Sequence, residues 1–365
     1  MSKFSPGILL KLLKLVCVIL VVTGCTRLEG EPLATSTTVP ILTSTASPVT
    51  SATVSSEAFS YLASALDIMQ ENSIKRSEIN WDMLRATANE KARGARAPWA
   101  TYNAIRFALN YLGDEHSFFL TPLEATHLQN TAIQDSPTPE GNLIEGKLGY
   151  IILPWLSGID EEQGDLYATL LQNIVKEVDS LGPCGWIIDL RPNNGGTMWP
   201  MLAGIGPVLG DGDVGSFVYP DGRKIDWYYT NGQVQVSGGD VMAKVNGVAY
   251  ELKQDSQPVA VLTGMGTASS GEAVVVAFRG RPNTRSFGQD TAGLSTGNQG
   301  FKLSNGAMIF LTVVTFADRT GQIYGGPIRP DELINEIGSG PDPVKQAAVR
   351  WLLDQPECVQ AKQQN

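Results

Sequence analysis

Three short apolar runs, LGYIILP (148–154), GWIIDL (185–190) and PVAVLTG (258–264), are separated by long amphipathic stretches such as DLYATLLQNIVKEVDSL (165–181). Strands this short and this uniformly apolar must be buried on both faces, so they predict a parallel sheet covered by helices, an α/β fold. Further on, FKLSNGAMIFLTVVTF (301–316) carries two β-rich runs about Asn305-Gly306, the signature of a hairpin. PVKQAAVRWLLD (343–354) reads as a closing helix.

Ahead of the sheet pattern, EAFSYLASALDIMQ, NWDMLRATANEKA and APWATYNAIRFALNYL repeat apolar residues at helical spacing. They predict a small helical bundle, assigned to 57–137, followed by a catalytic domain over 138–365. Residues 25–56 are rich in Ser, Thr and Pro and too poor in apolar side chains to fold, which suits a tether. Residues 1–24 have a basic start and an apolar middle shorter than the roughly 20 residues a bilayer-spanning helix needs, as expected of an export signal. The exit Val22-Thr23-Gly24-Cys25 resembles a bacterial lipobox, with Cys25 as the lipidated residue. The expected location is the cell envelope, outside the cytoplasm and held to the membrane by an N-terminal lipid anchor. Export also permits a disulfide between Cys184 and Cys358.

Composition excludes several chemistries. A net charge of −10 without any basic cluster argues against nucleic acid as a partner. With two histidines and no HExxH, paired CxxC or EF-hand loop, no metal site is expected. GxxxxGK[ST] and a strand-linked GxGxxG are likewise missing, and no cofactor is expected.

What remains is GTASSGEAVVVAF (266–278), where Ser269 and Ser270 stand between the third apolar run and a helical segment. The C-terminal edge of a parallel sheet is the usual ligand site of such folds, and the free N–H groups of a helix's first turn favour negative charge. A serine there is suited to attack a carbonyl and to have its oxyanion held. The plainer alternative is a helix N-cap, the commoner role of serine at such a position. His116, in the polar turn GDEHSFF, is the candidate base, whereas His127 falls on a surface helix. The loop in GWIIDLRPNNGGTMW offers Gly195 and Gly196, whose backbone can approach a bound carbonyl. No histidine follows Ser269, which excludes the α/β-hydrolase order, and no SxxK occurs.

Taken in order, LGDEHS, IIDLRPNNGG, TASSGE, FGQDTAG and GGPIRPD resemble the tail-specific (C-terminal processing) serine proteases. The likeness is greatest to the Ser-His branch that includes the tricorn core and retinoid-binding-protein repeats. The resemblance spans roughly residues 57–350 and implies a ClpP/crotonase-like β/α catalytic domain acting on a peptide or protein substrate. It implies Ser269 as nucleophile, His116 as general base, and Ser270 with Gly195 or Gly196 as oxyanion donors. Where Ser-Lys relatives place their lysine this chain has Leu294, and the stretch between Ser117 and Leu148 is too short for a PDZ domain. The group that orients His116 is expected to be Asp318, with Glu272 and Ser117 as alternatives. The rival functions are a non-catalytic ligand-binding module on the same fold and an esterase or acyl transferase.

Overall fold

A computed structural model describes residues 53–130, 136–158, 160–335 and 340–360. The helical unit is formed by α1 (Ser56–Asn72), α2 (Trp81–Lys91), a short 3-10 turn and α3 (Tyr102–Leu112). Ser55 and Asn80 cap the first two helices by accepting the N–H of Ala58 and Met83. Leu62, Leu66 and Met69 of α1 meet Leu84 of α2 and Ile105 and Leu109 of α3 in the core. Next come β1 (Phe118–Leu120), α4 (Pro122–Asn130), β2 (Glu140–Ile144) and β3 (Leu148–Ile152). After α5 (Glu161–Ser180) follow β4 (Gly185–Asp189), α6 (Met198–Leu209), β5 (Gly212–Val218), β6 (Lys224–Thr230), β7 (Gln233–Val236) and β8 (Val241–Lys244). The chain continues through β9 (Val259–Thr263), α7 (Ser270–Phe278), β10 (Thr284–Gly288), β11 (Thr296–Lys302), β12 (Met308–Ala317) and β13 (Glu332–Leu333), then α8 (Pro343–Leu353) and α9 (Pro356–Gln360).

The three apolar runs are β3, β4 and β9, neighbours in a six-stranded sheet ordered β13-β10-β9-β4-β3-β2. All its pairings are parallel except that of β2 with β3. Alternation along β4 sends Trp186 and Ile188 into the main core and Ile187 to the opposite face, where Val344, Ala348 and Leu352 of α8 cover it. A disulfide joins Cys184, at the entrance to β4, to Cys358 of α9 and so fastens that cover.

A second sheet, ordered β1-β12-β5-β6-β7-β8 with β11 also on β12, lies across α6 and α7. Every residue of α7 is buried, which explains why its stretch AVVVAF (273–278) is apolar on all sides rather than along one stripe. β1 pairs with β12, and the helical unit shares one continuous buried cluster with both sheets. Among the described residues no helix is long and apolar enough to cross a membrane. The export signal, Cys25 and nearly all of the tether lie outside the described residues.

Candidate active site

The turn from β9 into α7 is stitched to the turn leaving β4. Thr267 Oγ1 accepts the Gly264 N–H and donates to the Leu190 carbonyl, and the Ala268 N–H donates to the Asn193 carbonyl. Ser269 follows with φ 52° and ψ −112°, a left-handed region that costs a non-glycine residue of order 1–3 kcal/mol. Its hydroxyl is buried and has no hydrogen-bond partner. Only the glutamate half of a capping box reaches bonding geometry, with the Ser269 N–H donating to Glu272 Oε2 at 2.8 Å. The serine occupies the cap position without spending its oxygen on the cap.

Against it lies the glycine loop. A Cβ on Gly195 would fall 3.1 Å from Ser269 Cβ and 3.5 Å from its Oγ, so the loop backbone flanks this serine. A Cβ on Gly196 would fall 1.8 Å from the Leu156 carbonyl oxygen, and only glycine fits there. Asn193, fully buried, shapes the loop: Nδ2 donates to the Pro154 carbonyl and Oδ1 accepts the Gly195 N–H. Ser270 Oγ donates to the Gly196 carbonyl at 2.7 Å, locking the loop to the start of α7.

His116 stands between α3 and β1. Gly113 ends the helix at φ 69°, and Asp114 Oδ1 accepts the backbone N–H groups of His116 and Ser117. The imidazole is buried, and Nδ1 lies 2.7 Å from Thr296 Oγ1 at the start of β11. Asn298 Nδ2 donates to the His116 carbonyl. Burial drives the imidazole down to about 4, opposed in part by the charge of Asp114. Nε2 is buried and unpartnered, like Ser269 Oγ, and no hydrogen bond joins the two.

They are nevertheless linked through a single segment. Glu272 Oε1 accepts from Thr291 Oγ1 and from the Gly293 N–H, and three residues later Thr296 meets the imidazole. Burial pushes the Glu272 carboxyl up to about 7 despite these donors.

The expectation that Asp318 orients His116 does not fit this geometry. Its carboxylate accepts from the Thr320 N–H and Oγ1, the Gln322 N–H and Tyr324 Oη, shaping the turn after β12. Glu272 grips the Ser269 backbone instead of the imidazole. Ser117 Oγ donates to Asp114 Oδ2 and accepts the Thr312 N–H. His127 is exposed on α4, as expected. Three contributors went unread in the sequence: Thr296, Asn193 and Asp114. Asn193 carried a signal in its place within RPNNGG; Thr296 carried none beyond a polar residue opening a β-run. Among the described residues no group of three or more His, Cys, Asp or Glu is arranged to hold a metal.

The profile of Peptidase family S41 matches 147–334. A nisin-resistance protein from Lactococcus lactis subsp. lactis is 28% identical over 296 residues, covering 81% of this chain and 87% of that protein. A lipoprotein from Streptococcus agalactiae superposes with a TM-score of 0.66 at 26% identity, over 82% of this chain and 97% of that one. The photosystem II D1 C-terminal processing protease shares the fold at a TM-score of 0.53 and 16% identity, over 77% of this chain and 93% of its own.

Proposed function

Because this chain belongs to peptidase family S41, we propose that it is a serine peptidase in which Ser269 and His116 carry out acyl transfer. The observation that carries this is the strained Ser269, whose buried hydroxyl is left unbonded beside a glycine loop and at a helix N-terminus. Strain persists where the surrounding structure enforces it, and a nucleophile on a sharp strand-to-helix turn is one reason for such enforcement.

In the proposed reaction His116 Nε2 takes the Oγ proton as Ser269 attacks the peptide carbonyl carbon. The oxyanion is met by the Ser270 N–H and by the loop. Gly195 already gives its N–H to Asn193, which favours Gly196 as the second donor. The C–N bond then breaks, the amine leaves with the proton from Nε2, and water repeats the sequence to free the acid. Catalytic hydrogen bonds are commonly unformed without substrate, so the missing Ser269–His116 bond is expected to form in the complex.

Tethering outside the cytoplasm through Cys25 belongs to the same proposal, supported by the sequence of residues 1–25 and by the lipoprotein relative. The name of the 28% identical relative makes nisin the first substrate to try. The test is fluorophosphonate labelling of the full-length chain with mass mapping. Label on Ser269, lost in Ser269→Ala, together with peptide cleavage supports the assignment. An unreactive wild type would favour a binding module, and ester turnover without peptide turnover an esterase.

A further inference from the structure

The buried contact between His116 and Thr296 goes beyond naming a nucleophile and a base. An imidazole that acts through Nε2 needs Nδ1 protonated and the ring held in one orientation, and a hydrogen-bond acceptor at Nδ1 provides both. Carboxylates are the familiar acceptors, yet Asp114, whose charge acts on this ring, and the two other candidates are committed elsewhere. Asp114 receives two backbone N–H groups, Ser117 Oγ and Thr312 Oγ1. Asp318 holds its own turn, and Glu272 holds the nucleophile's backbone. The atom at Nδ1 is the Thr296 hydroxyl oxygen, 180 residues away in sequence and 2.7 Å away in space.

Thr296 is itself held in place. Ser295 before it bonds the Gly326 carbonyl and the Gly325 N–H, while Thr296 pairs with Thr315 of β12. Upstream, Glu272 grips Thr291 and Gly293. The segment 291–296 is therefore anchored at one end to the nucleophile's helix and at the other to the sheet strand, and the hydroxyl that meets His116 sits where this segment enters the strand.

We propose that Thr296 is the positioning residue of the site: its hydroxyl accepts a hydrogen bond from His116 Nδ1–H, fixing the tautomer that leaves Nε2 free to take a proton, with segment 291–296 setting the distance from Glu272. The proposal rests on the peptidase reading for its consequence in catalysis, but its structural content is testable without turnover. Two histidines make that simple.

In the full-length chain with 15N-labelled histidine, the His116 ring should show a protonated Nδ1 and an unprotonated Nε2, distinct from exposed His127. Thr296→Val, which keeps the shape and removes the hydroxyl, should shift the Nδ1 resonance and mix the tautomers. Thr296→Ser should restore the wild-type pattern. Fluorophosphonate labelling should fall about 10²-fold in Thr296→Val and stay within about threefold in Thr296→Ser, the penalty expected for a mis-set base. A wild-type ring protonated on Nε2, or a Thr296→Val ring and labelling rate like wild type, overturns the proposal. Should Thr296→Val not fold, the wild-type tautomer and the serine variant still decide. A wild type that never labels yet shows the expected tautomer and its loss in Thr296→Val would overturn the peptidase reading and leave the positioning intact.

Discussion

Glu272 Oε2 accepts the backbone N–H of Ser269 at 2.8 Å, so the acid nearest this serine in sequence grips its backbone and leaves its hydroxyl alone. The same carboxylate collects Thr291 and Gly293 on its other oxygen. Glu272→Gln can keep one side of this arrangement. The amide NH₂ then faces an N–H donor, leaving a buried donor unsatisfied at a cost of about 1–3 kcal/mol. Urea unfolding at pH 8, where this carboxyl is ionised, should show that loss. Unchanged stability would mean that the carboxylate is not the clasp between α7 and segment 291–296.

Strain at Ser269 makes a separate prediction. A glycine tolerates φ 52°, ψ −112° without a Cβ penalty, whereas alanine keeps it. Ser269→Gly should therefore melt higher than Ser269→Ala, by the equivalent of about 1 kcal/mol or more, while both fail to label. Equal melting temperatures in calorimetry would show that the turn is unstrained.

The pH behaviour follows from two buried groups whose shifts oppose one another. His116 falls from an ordinary 6.5 to about 4, so it stays neutral, and able to accept a proton, down to that pH. Labelling at Ser269 should hold between pH 8 and 5 and be half lost near 4, instead of fading near 6.5. For stability, the unfolded chain binds the histidine proton first, so this group's contribution is full above 6.5 and lost as pH falls to 4, worth roughly 3 kcal/mol. Glu272 rises from 4.5 to about 7; its contribution is full below 4.5 and lost as pH climbs to 7. Between about 4.5 and 6.5 the slopes cancel, and denaturation midpoints of the wild type should be nearly flat there. His116→Gln should lose stability as pH rises through that window, and Glu272→Gln as it falls; parallel flat profiles for all three would refute both shifts.

The elements that were legible in the sequence are those whose pattern is set locally. β3, β4 and β9 announced themselves by unbroken apolar runs, α1 to α3 by helical periodicity, and β11–β12 by Asn305-Gly306. β2 (Glu140–Ile144) was not legible, because as an exposed edge strand it carries no apolar run. The meander β5 to β8 also escaped notice: its alternation is partial, as in KIDWYYT, and its meaning comes from α6 and α7 beneath it. At the site, the glycine loop was visible because Gly196 leaves no room for a Cβ, and Ser269 because a hydroxyl between a strand and a helix N-terminus carries its own chemical signal. The partner of His116 was not, since Thr296 is joined to it only by the pairing of β1 and β11 on either side of β12.

The two glycines of the loop are predicted to fail in different ways. Alanine at 196 would drive its Cβ into the Leu156 carbonyl, a backbone atom tied to Thr197 N–H, so the loop must move. Alanine at 195 meets the side chain of Ser269 at 3.1 Å, a milder contact at a φ of 120°. Gly196→Ala should lower the melting temperature by more than Gly195→Ala, and both should depress labelling by about 10²-fold or more if the loop supplies an oxyanion donor. Gly195→Ala labelling at the wild-type rate would separate the loop from the chemistry proposed at Ser269.

The disulfide sits at the far end of β4 from Ser269 and closes a loop of 174 residues. Closing so long a loop restricts the unfolded chain by as much as about 5 kcal/mol, so the bridge acts on global stability rather than on the site. The double variant Cys184→Ala, Cys358→Ala should melt well below the wild type, yet label at Ser269 with the same rate constant at temperatures where it remains folded. The reason is directional: α8 and the bridge cover the face of the sheet bearing Ile187 and Leu262, while α7 and the glycine loop are held from the other face by α6 and the second sheet. A labelling rate that drops while circular dichroism still reports a native fold would show that the cover reaches the site through β4, and that the two ends of the strand are coupled.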